Sequence, residues 1–349
     1  MAISKYFATL LIILFLSLGA HAETITIKPD APDRYVVQKG DTLWHISARF
    51  LNTPWLWPKI WQVNPAIGNP HLIYPGDIIF LTYDADGRPI LTLHRGRPTV
   101  KLSPEARPSR IDEAISVIPL DAIQQFLTNS RVVSKEEYDK APYIVAFQND
   151  RVIASTTDKA YIRGVPEDIK QSKFSIIRLG EAFRDPSRNN EILGYETIEV
   201  AGVTLDKLGD PASFIISGVE RETLAGDRLF SILNDAFSKS YSPHAPKQET
   251  DGQIIAVLDG VSRIGQFHVV VLNLGEEDGM ELGHVLGIFQ SGREVKDKFS
   301  EKFGGETVTL PDEKAGLVLV FRVFEKVSYA LVMRAERDIR VYDRAANPE

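Results

Sequence analysis

The chain of 349 residues contains no cysteine. This absence excludes disulfide bonds, lipid attachment through a cysteine, and every enzyme class that depends on a thiolate nucleophile. An exported protein can do without disulfides when its domains are large enough to bury their own cores. The length predicts two or three such domains.

Positive charge is in deficit, with 40 Lys and Arg against 47 Asp and Glu and a formal net charge of −7. A nucleic-acid-binding protein needs a basic face that neutralises phosphates, and anionic lipid also attracts basic segments. We therefore expect no nucleic-acid partner and no general attraction to acidic membranes.

Long apolar runs are confined to the start of the chain. Lys5 gives a positive beginning, and residues 6–18 are apolar but shorter than the roughly 18 residues of a membrane span. Ala20-His21-Ala22 fits a signal-peptidase site. We predict a signal peptide over residues 1–22, cleavage between Ala22 and Glu23, and no transmembrane span afterwards; an uncleaved N-terminal anchor is the alternative.

Residues 34–82 alternate between strand and helix signals. Arg34–Val37 is typical of a strand, Gly40 permits a tight turn, and Asp41 can cap a following helix. Thr53-Pro54 begins a second helix, in which Pro58 predicts a kink or a late start. One buried face of the first helix is formed by Leu43, Ile46 and Phe50.

The order of these signals, followed by Asn64-Pro65, a turn at 74–77 and an apolar strand at 78–81, resembles the LysM module. This is a βααβ unit that binds polymers containing N-acetylglucosamine, peptidoglycan above all. In that family the ligand lies in a shallow groove between two loops. The resemblance implies that the glycan-binding residues here are Gly40, Asp41, Thr42, Leu43, Asn64, Pro65, Ile67, Asn69, Pro70, Leu72 and Ile73.

Each of these residues also has a structural explanation as turn, cap or core. The chain departs from the family pattern in its Pro70-His71 segment and in a cluster of Trp55, Trp57 and Trp61. Because Trp57 and Trp61 stand at i and i+4 on a helix, we expect them in the core rather than on a sugar-stacking surface.

We predict a linker with short helices over residues 83–140, extended between residues 87 and 110 by its prolines and arginines. A helical pattern covers 119–127, and Ser134 with Glu137 forms a capping box.

From residue 141 the sequence predicts short strands, in a first β module at 141–240 and a second at 250–344. The expected fold class is α+β, with a βααβ unit followed by small barrel-like modules. Residues 269–289 resemble a β-barrel unit of bacterial envelope and flagellar-assembly proteins, with His284 where Asp is usual. Residues 224–230 and 282–288 could be corresponding pieces of two related barrels, and residues 295–303 could form an amphipathic helix.

We find no catalytic, cofactor or metal motif. The histidines lack the spacing of zinc peptidases, although His268 and His284 could approach one another in a sheet. A glycosidase needs only two carboxylates placed by the fold, so this class stays open.

These observations predict a non-enzymatic, periplasmic protein that binds peptidoglycan glycan strands. The C-terminal β region would be a scaffold or would bind an envelope protein partner. The alternatives are a wall hydrolase with an unrecognised carboxylate site and an envelope or flagellar assembly factor anchored by the module.

Overall fold

The computed structural model describes residues 25–61, 73–95, 115–128, 131–150, 153–232, 242–258, 264–297, 299 and 306–348. The chain divides into two compact units, residues 1–113 and 114–349. The predicted signal peptide, with Ala22 and Glu23 at its cleavage site, lies outside the described residues.

The first unit contains a three-stranded antiparallel sheet in the order β1-β2-β3, with two helices between its first and second strands. A single 3₁₀ turn, Pro54–Leu56, precedes the second helix, so the chain makes the interruption expected near Pro58. The elements are β1 Arg34–Val36, α1 Leu43–Phe50, α2 Trp57–Trp61, β2 Ile78–Tyr83 and β3 Pro89–His94.

The strand β3 corrects the prediction of an extended linker at residues 89–94, whereas residues 96–110 of that prediction lie outside the described residues. It pairs with β2 along its whole length, from Tyr83↔Pro89 to Ile78↔His94. The Asp84 carboxylate accepts the backbone N–H groups of Asp86 and Arg88 and so fixes the turn between the strands. Proline is tolerated as the first residue of an edge strand, which is why Pro89 did not prevent pairing.

The second unit is mainly β. The two predicted helices are confirmed, the second with Ser134 Oγ accepting the N–H of Glu137 at 3.0 Å. The first elements are α3 Leu120–Thr128, β4 Val132–Val133, α4 Lys135–Lys140, β5 Tyr143–Phe147, β6 Lys159–Arg163, β7 Lys173–Asp185, β8 Glu191–Lys207, β9 Ala212–Val219 and β10 Arg228–Ser231. The later strands are β11 Asp251–Val257, β12 Val269–Leu272, β13 Val285–Gln290, β14 Glu294–Asp297, β15 Glu306–Thr309, β16 Glu313–Val323, β17 Ser328–Ala335 and β18 Arg344–Ala346.

These strands form two closed rings of the same order. In barrel 1 the ring is β5-β6-β9-β8-β7-β10, because β8 also pairs with β9, and β4 is added at the edge of β8. In barrel 2 the ring is β11-β12-β17-β16-β13-β18. Numbered along the chain within each barrel, both rings run first, second, fifth, fourth, third, sixth. The suspected relation between two barrels is therefore present in the topology.

One kind of turn recurs before corresponding strands of both barrels. Each turn has four residues. The third residue has positive φ, and the side chain of the fourth residue, an Asp or a His, accepts the backbone N–H of the first. A single residue on a neighbouring strand holds the turn through two backbone hydrogen bonds: its C=O accepts the N–H of the third residue, and its N–H donates to the C=O of the fourth. The turns are 155–158 and 224–227 in barrel 1, and 265–268 and 340–343 in barrel 2.

The structure corrects two predictions about the barrels. Residues 224–230 enter the sixth strand of barrel 1, so their counterpart is the segment around 340–346 and not 282–288, which enters the third strand of barrel 2. The helix expected over 295–303 is contradicted at residues 295–297, and residues 298 and 300–303 lie outside the described residues. Residues 294–297 and 306–309 form a two-stranded ribbon instead, in which the β-branched Val295 and Val308 pair directly across the strands.

The barrels are joined by a long hairpin. Strands β7 and β8 extend beyond barrel 1 and end near residues 186–190, where Asp185 accepts a hydrogen bond from the Asn273 amide of barrel 2 at 2.9 Å. Phe183, on the same hairpin, packs edge-on against Tyr329. The helix α3 covers barrel 2 as well, because Arg322 donates to its last carbonyls, those of Phe126 and Leu127.

Candidate functional site

The loop after β1 is a tight turn with its own internal hydrogen bonds. Gly40 has φ of +91°, a conformation that favours glycine. The Asp41 carboxylate accepts the N–H of Gln38 and the hydroxyl of Tyr35, both at 2.8 Å. Thr42 then caps α1 by accepting the N–H of His45 at 3.1 Å.

The turn before β2 is built in the same way. Gly76 has φ of +93°, and the buried Asp77 carboxylate accepts the N–H of Tyr74 at 3.0 Å. Val37, the residue after β1, makes two backbone hydrogen bonds of 2.8 Å to this turn. Its N–H donates to the backbone C=O of Asp77, and its C=O accepts the N–H of Gly76. One residue therefore holds the loops at 38–41 and 74–77 side by side, and both glycines are exposed.

The predicted site residues divide by burial. Gly40 is exposed and Asp41 partly so, whereas Thr42, Leu43 and Ile73 are buried. Leu43 and Ile73 are each 0 % exposed, so neither offers a surface to a ligand in this structure. The remaining predicted residues, Asn64, Pro65, Ile67, Asn69, Pro70 and Leu72, lie outside the described residues. Sequence reasoning missed Val37 and Gly76, although the Gly-Asp pair at 76–77 repeats the pair at 40–41.

The tryptophans belong to the core. Trp57 and Trp61 are each 1 % exposed, as expected from their helical spacing, and Trp44 and Trp55 are buried with them. Next to this core, the Arg49 guanidinium lies 4.5 Å from the centre of the Tyr35 ring. Burial, and then the hydrogen bond to Asp41, raise the pKa of Tyr35, so its hydroxyl stays protonated and holds the turn.

A histidine cluster lies on barrel 2. Ligand atoms of His244, Glu281 and His284 lie within 4.8 Å of one another, so it is His244 and not His268 that approaches His284. The set has metal-ligand chemistry, but His284 Nδ1 already accepts the N–H of Glu281 at 3.1 Å. That bond leaves the proton of the neutral ring on Nε2, without a lone pair for a metal. Burial, and then His244, lower the pKa of His284.

A carboxylate pair bears on the question of hydrolysis. The pKa of Glu196, on β8, is raised first by its burial and then by the negative charge of Glu181. A general acid in a glycosidase needs such a raised pKa beside a second carboxylate.

Comparison with known proteins agrees with the geometry at the N-terminus. A segment of the chain is 41 % identical over 56 residues to the uncharacterised protein YqbP of Bacillus subtilis (strain 168), which covers 13 % of this chain and 26 % of that protein. The chain thus matches about a quarter of the length of that relative. Among the described residues, no helix is both long and apolar enough to cross a membrane. Residues 35–82 match the LysM domain family, and with their two helices beside a sheet they are a LysM domain, a module that in general binds peptidoglycan and other N-acetylglucosamine polymers.

Proposed function

We propose that this is an exported protein of the cell envelope that attaches to peptidoglycan through the turns at 38–41 and 74–77. The second unit is a non-enzymatic scaffold or a surface for an envelope protein partner. The observation that supports the site most directly is the double hydrogen bond of Val37, which brings the two turns together.

The chemistry of the two turns suits a polar sugar polymer. Exposed glycines leave backbone groups open to a ligand, and no side chain at these positions obstructs approach. Gln38, Lys39 and the apolar Val36 are exposed around them, so contacts would combine polar groups with one apolar side chain. A single shallow groove of this kind binds weakly, roughly in the millimolar to micromolar range, unless several modules act together.

A side chain at Gly40 or Gly76 tests the groove. A Cβ at either position would meet no atom within 4 Å, so Gly40→Gln and Gly76→Gln leave the core undisturbed and fill the space in front of the turns. We expect binding to purified sacculi, measured by co-sedimentation, to fall by roughly tenfold or more.

Gly87→Gln is the matched control. Gly87 also has positive φ, also meets nothing within 4 Å of its added Cβ, and lies in the β2–β3 turn of the same unit. All three variants carry the same backbone cost of roughly 1 kcal/mol, which melting curves would verify. Equal binding by all three would place the groove elsewhere.

The role of the second unit is tested on the same sacculi. A chain beginning at residue 114 should not sediment with them, and neither chain should release soluble muropeptides. Release would favour the alternative of a wall hydrolase, and Glu196→Gln is then the first variant to assay because of the raised pKa of Glu196.

A further inference from the structure

One place on the outside of each barrel, at the end of its second strand, is covered in barrel 2 and open in barrel 1. In barrel 2 it is covered by the barrel 1 hairpin, the extended part of β7 and β8. The Asn273 amide there donates to Asp185 at 2.9 Å, and Lys326 donates to Glu191 at 2.9 Å. In one of the two barrels, this place therefore binds polar groups.

The shared turns identify the matching place on barrel 1. The turn before the sixth strand bonds to Ile144 in barrel 1 and to Ile254 in barrel 2. Arg163 stands opposite the residue before Ile144, and Asn273 stands opposite the residue before Ile254. Arg163 therefore holds the position from which Asn273 binds the hairpin.

In barrel 1 this place is a shallow cavity of about 500 Å³, lined by Tyr143, Arg163, Gly164, Val165 and Asp210. Its volume is in the range of small-ligand sites. Val165 is partly buried and packs against the core of the barrel, so an apolar side chain has a fixed place in the lining. Gly164 adds no side chain and leaves room beside it.

The two charged residues of the cavity neutralise each other. Arg163 donates through Nε and Nη2 to the two carboxylate oxygens of Asp210, both at 3.0 Å. The side chains are 54 % and 62 % exposed, and the other N–H groups of Arg163 have no partner in the part of the chain that the structure describes. Donors and acceptors thus lie side by side without net charge, which suits a ligand with neutral hydroxyl and amide groups.

An aromatic ring stands beside this pair. Tyr143 is the direct neighbour of Arg163 across the strands, and it is 38 % exposed. The Arg228 guanidinium lies 4.9 Å from the centre of the Tyr143 ring and 5.4 Å from that of Tyr138, so it is held between two rings. The Tyr143 ring offers an apolar surface with a polar tip, and the C–H face of a sugar ring can pack against such a surface.

We propose that this cavity of barrel 1 is a second glycan-binding site, which takes an N-acetylated sugar unit. The sugar ring packs on Tyr143, its hydroxyls bond to the pair of Arg163 and Asp210, and its acetamido methyl contacts Val165. The identity of the polymer rests on the proposed attachment to peptidoglycan. Two weak sites on one chain raise the apparent affinity for a polymer. Alone, a site of roughly millimolar strength does not retain a chain beginning at residue 114 on sacculi.

Amide NMR of the chain from residue 23, titrated with a soluble N-acetylglucosamine oligosaccharide, tests both sites at once. We expect chemical shifts to change at residues 163–165 as well as at 38–41 and 74–77. A glucose oligosaccharide, which lacks acetamido groups, should leave 163–165 unchanged, and equal changes with both sugars would overturn the assignment. Changes at the LysM turns alone would overturn the second site. Changes at 163–165 alone would instead reject the LysM groove and support this site.

Filling the cavity tests the same site on the polymer. An added Cβ at Gly164 would meet Pro142 at the ordinary distance of 3.6 Å. Gly164→Gln should lower sacculus binding by roughly tenfold and leave the oligosaccharide-induced shifts at 38–41 in place. Gly226→Gln, also at positive φ in barrel 1 and with nothing within 4 Å of its added Cβ, should bind like the unaltered chain. Tyr143→Ala, which removes the packing surface, replaces Gly164→Gln if the latter does not fold. Binding equal to that of Gly226→Gln would overturn the second site.

Discussion

The two barrels share a ring order but differ in what covers them. Their fifth strands show this most clearly. Strand β9 of barrel 1 alternates between buried and exposed positions, whereas the first six residues of β17 in barrel 2, 328–333, are all buried. One face of β17 meets the barrel interior and the other meets the barrel 1 hairpin. The difference teaches that, at the same place in the same strand order, a strand is buried on one face or on both faces according to what packs against the outside of the barrel.

The turns differ in chemistry while keeping one geometry. In barrel 1 the capping side chains are Asp158 and Asp227, and in barrel 2 they include His268 and His284. An imidazole Nδ1 accepts a backbone N–H as a carboxylate oxygen does, but it can titrate near neutral pH. In barrel 2 the turn at 281–284 therefore has a titratable acceptor, His284, whose pKa is lowered by burial and then by His244.

The largest expected effect comes from removing the contact between the barrels. Asp185→Ala would leave the buried Asn273 amide without its acceptor, which costs about 3 kcal/mol of unfolding free energy. The corresponding change in the ribbon of barrel 2, Asp297→Ala, should cost about 0.5 kcal/mol or less because that ribbon is largely exposed. Urea unfolding measures both values, and similar losses would contradict the difference between a hairpin packed on barrel 2 and a ribbon that is largely exposed.

A smaller effect is expected from the side chain that supports the last turn of each barrel. Arg178 donates to Asp227 through two bonds of 2.8 Å, whereas Gln290, at the corresponding position, hydrogen-bonds Asp343. Arg178→Gln should cost about 1 to 2 kcal/mol, since a charge-assisted pair is replaced by a neutral one.

The reverse exchange in barrel 2 is the control. Burial raises the pKa of Asp343, because a carboxylate is less well solvated there than in water. Gln290→Arg should lower that pKa and slow amide exchange in barrel 2. Hydrogen exchange followed barrel by barrel measures both variants, and a loss of protection in barrel 2 would contradict the assignment.

The smallest effect concerns acid. Because the pKa of His284 is lowered in the folded protein, the unfolded chain takes up the proton first as pH falls. The contribution of this group is complete above its ordinary pKa of about 6.5 and is lost as pH falls toward the folded value. Melting temperature should therefore drop between pH 7 and pH 5.

His284→Asp should abolish this drop while keeping an acceptor for the N–H of Glu281. His268→Asp makes the same exchange in the other histidine turn and should leave the drop in place. If both variants behave alike, the pair of His244 with His284 is not its origin.

Much of the fold was accessible from the sequence where local signals agree. The first LysM helix follows from the spacing of Leu43, Ile46 and Phe50, although Thr42 caps it and not Asp41 as predicted. The helix predicted over 119–127 is observed at Leu120–Thr128. The tip of the β7–β8 hairpin, residues 180–190, is harder to predict because Gly180 and Glu181 weaken the strand pattern there. The second loop of the groove stays a prediction, and Val37 was missed since its role is entirely in its backbone.

The β7–β8 hairpin has a mechanical consequence. A flexible linker between two domains lets each tumble, but here one continuous pair of strands begins in barrel 1 and ends against Asn273 and Lys326 of barrel 2. Any hinge motion between the barrels would have to bend a hydrogen-bonded ribbon and pull Phe183 from Tyr329. The two barrels should therefore move as one rigid body, so that a force applied to one barrel is transmitted to the other.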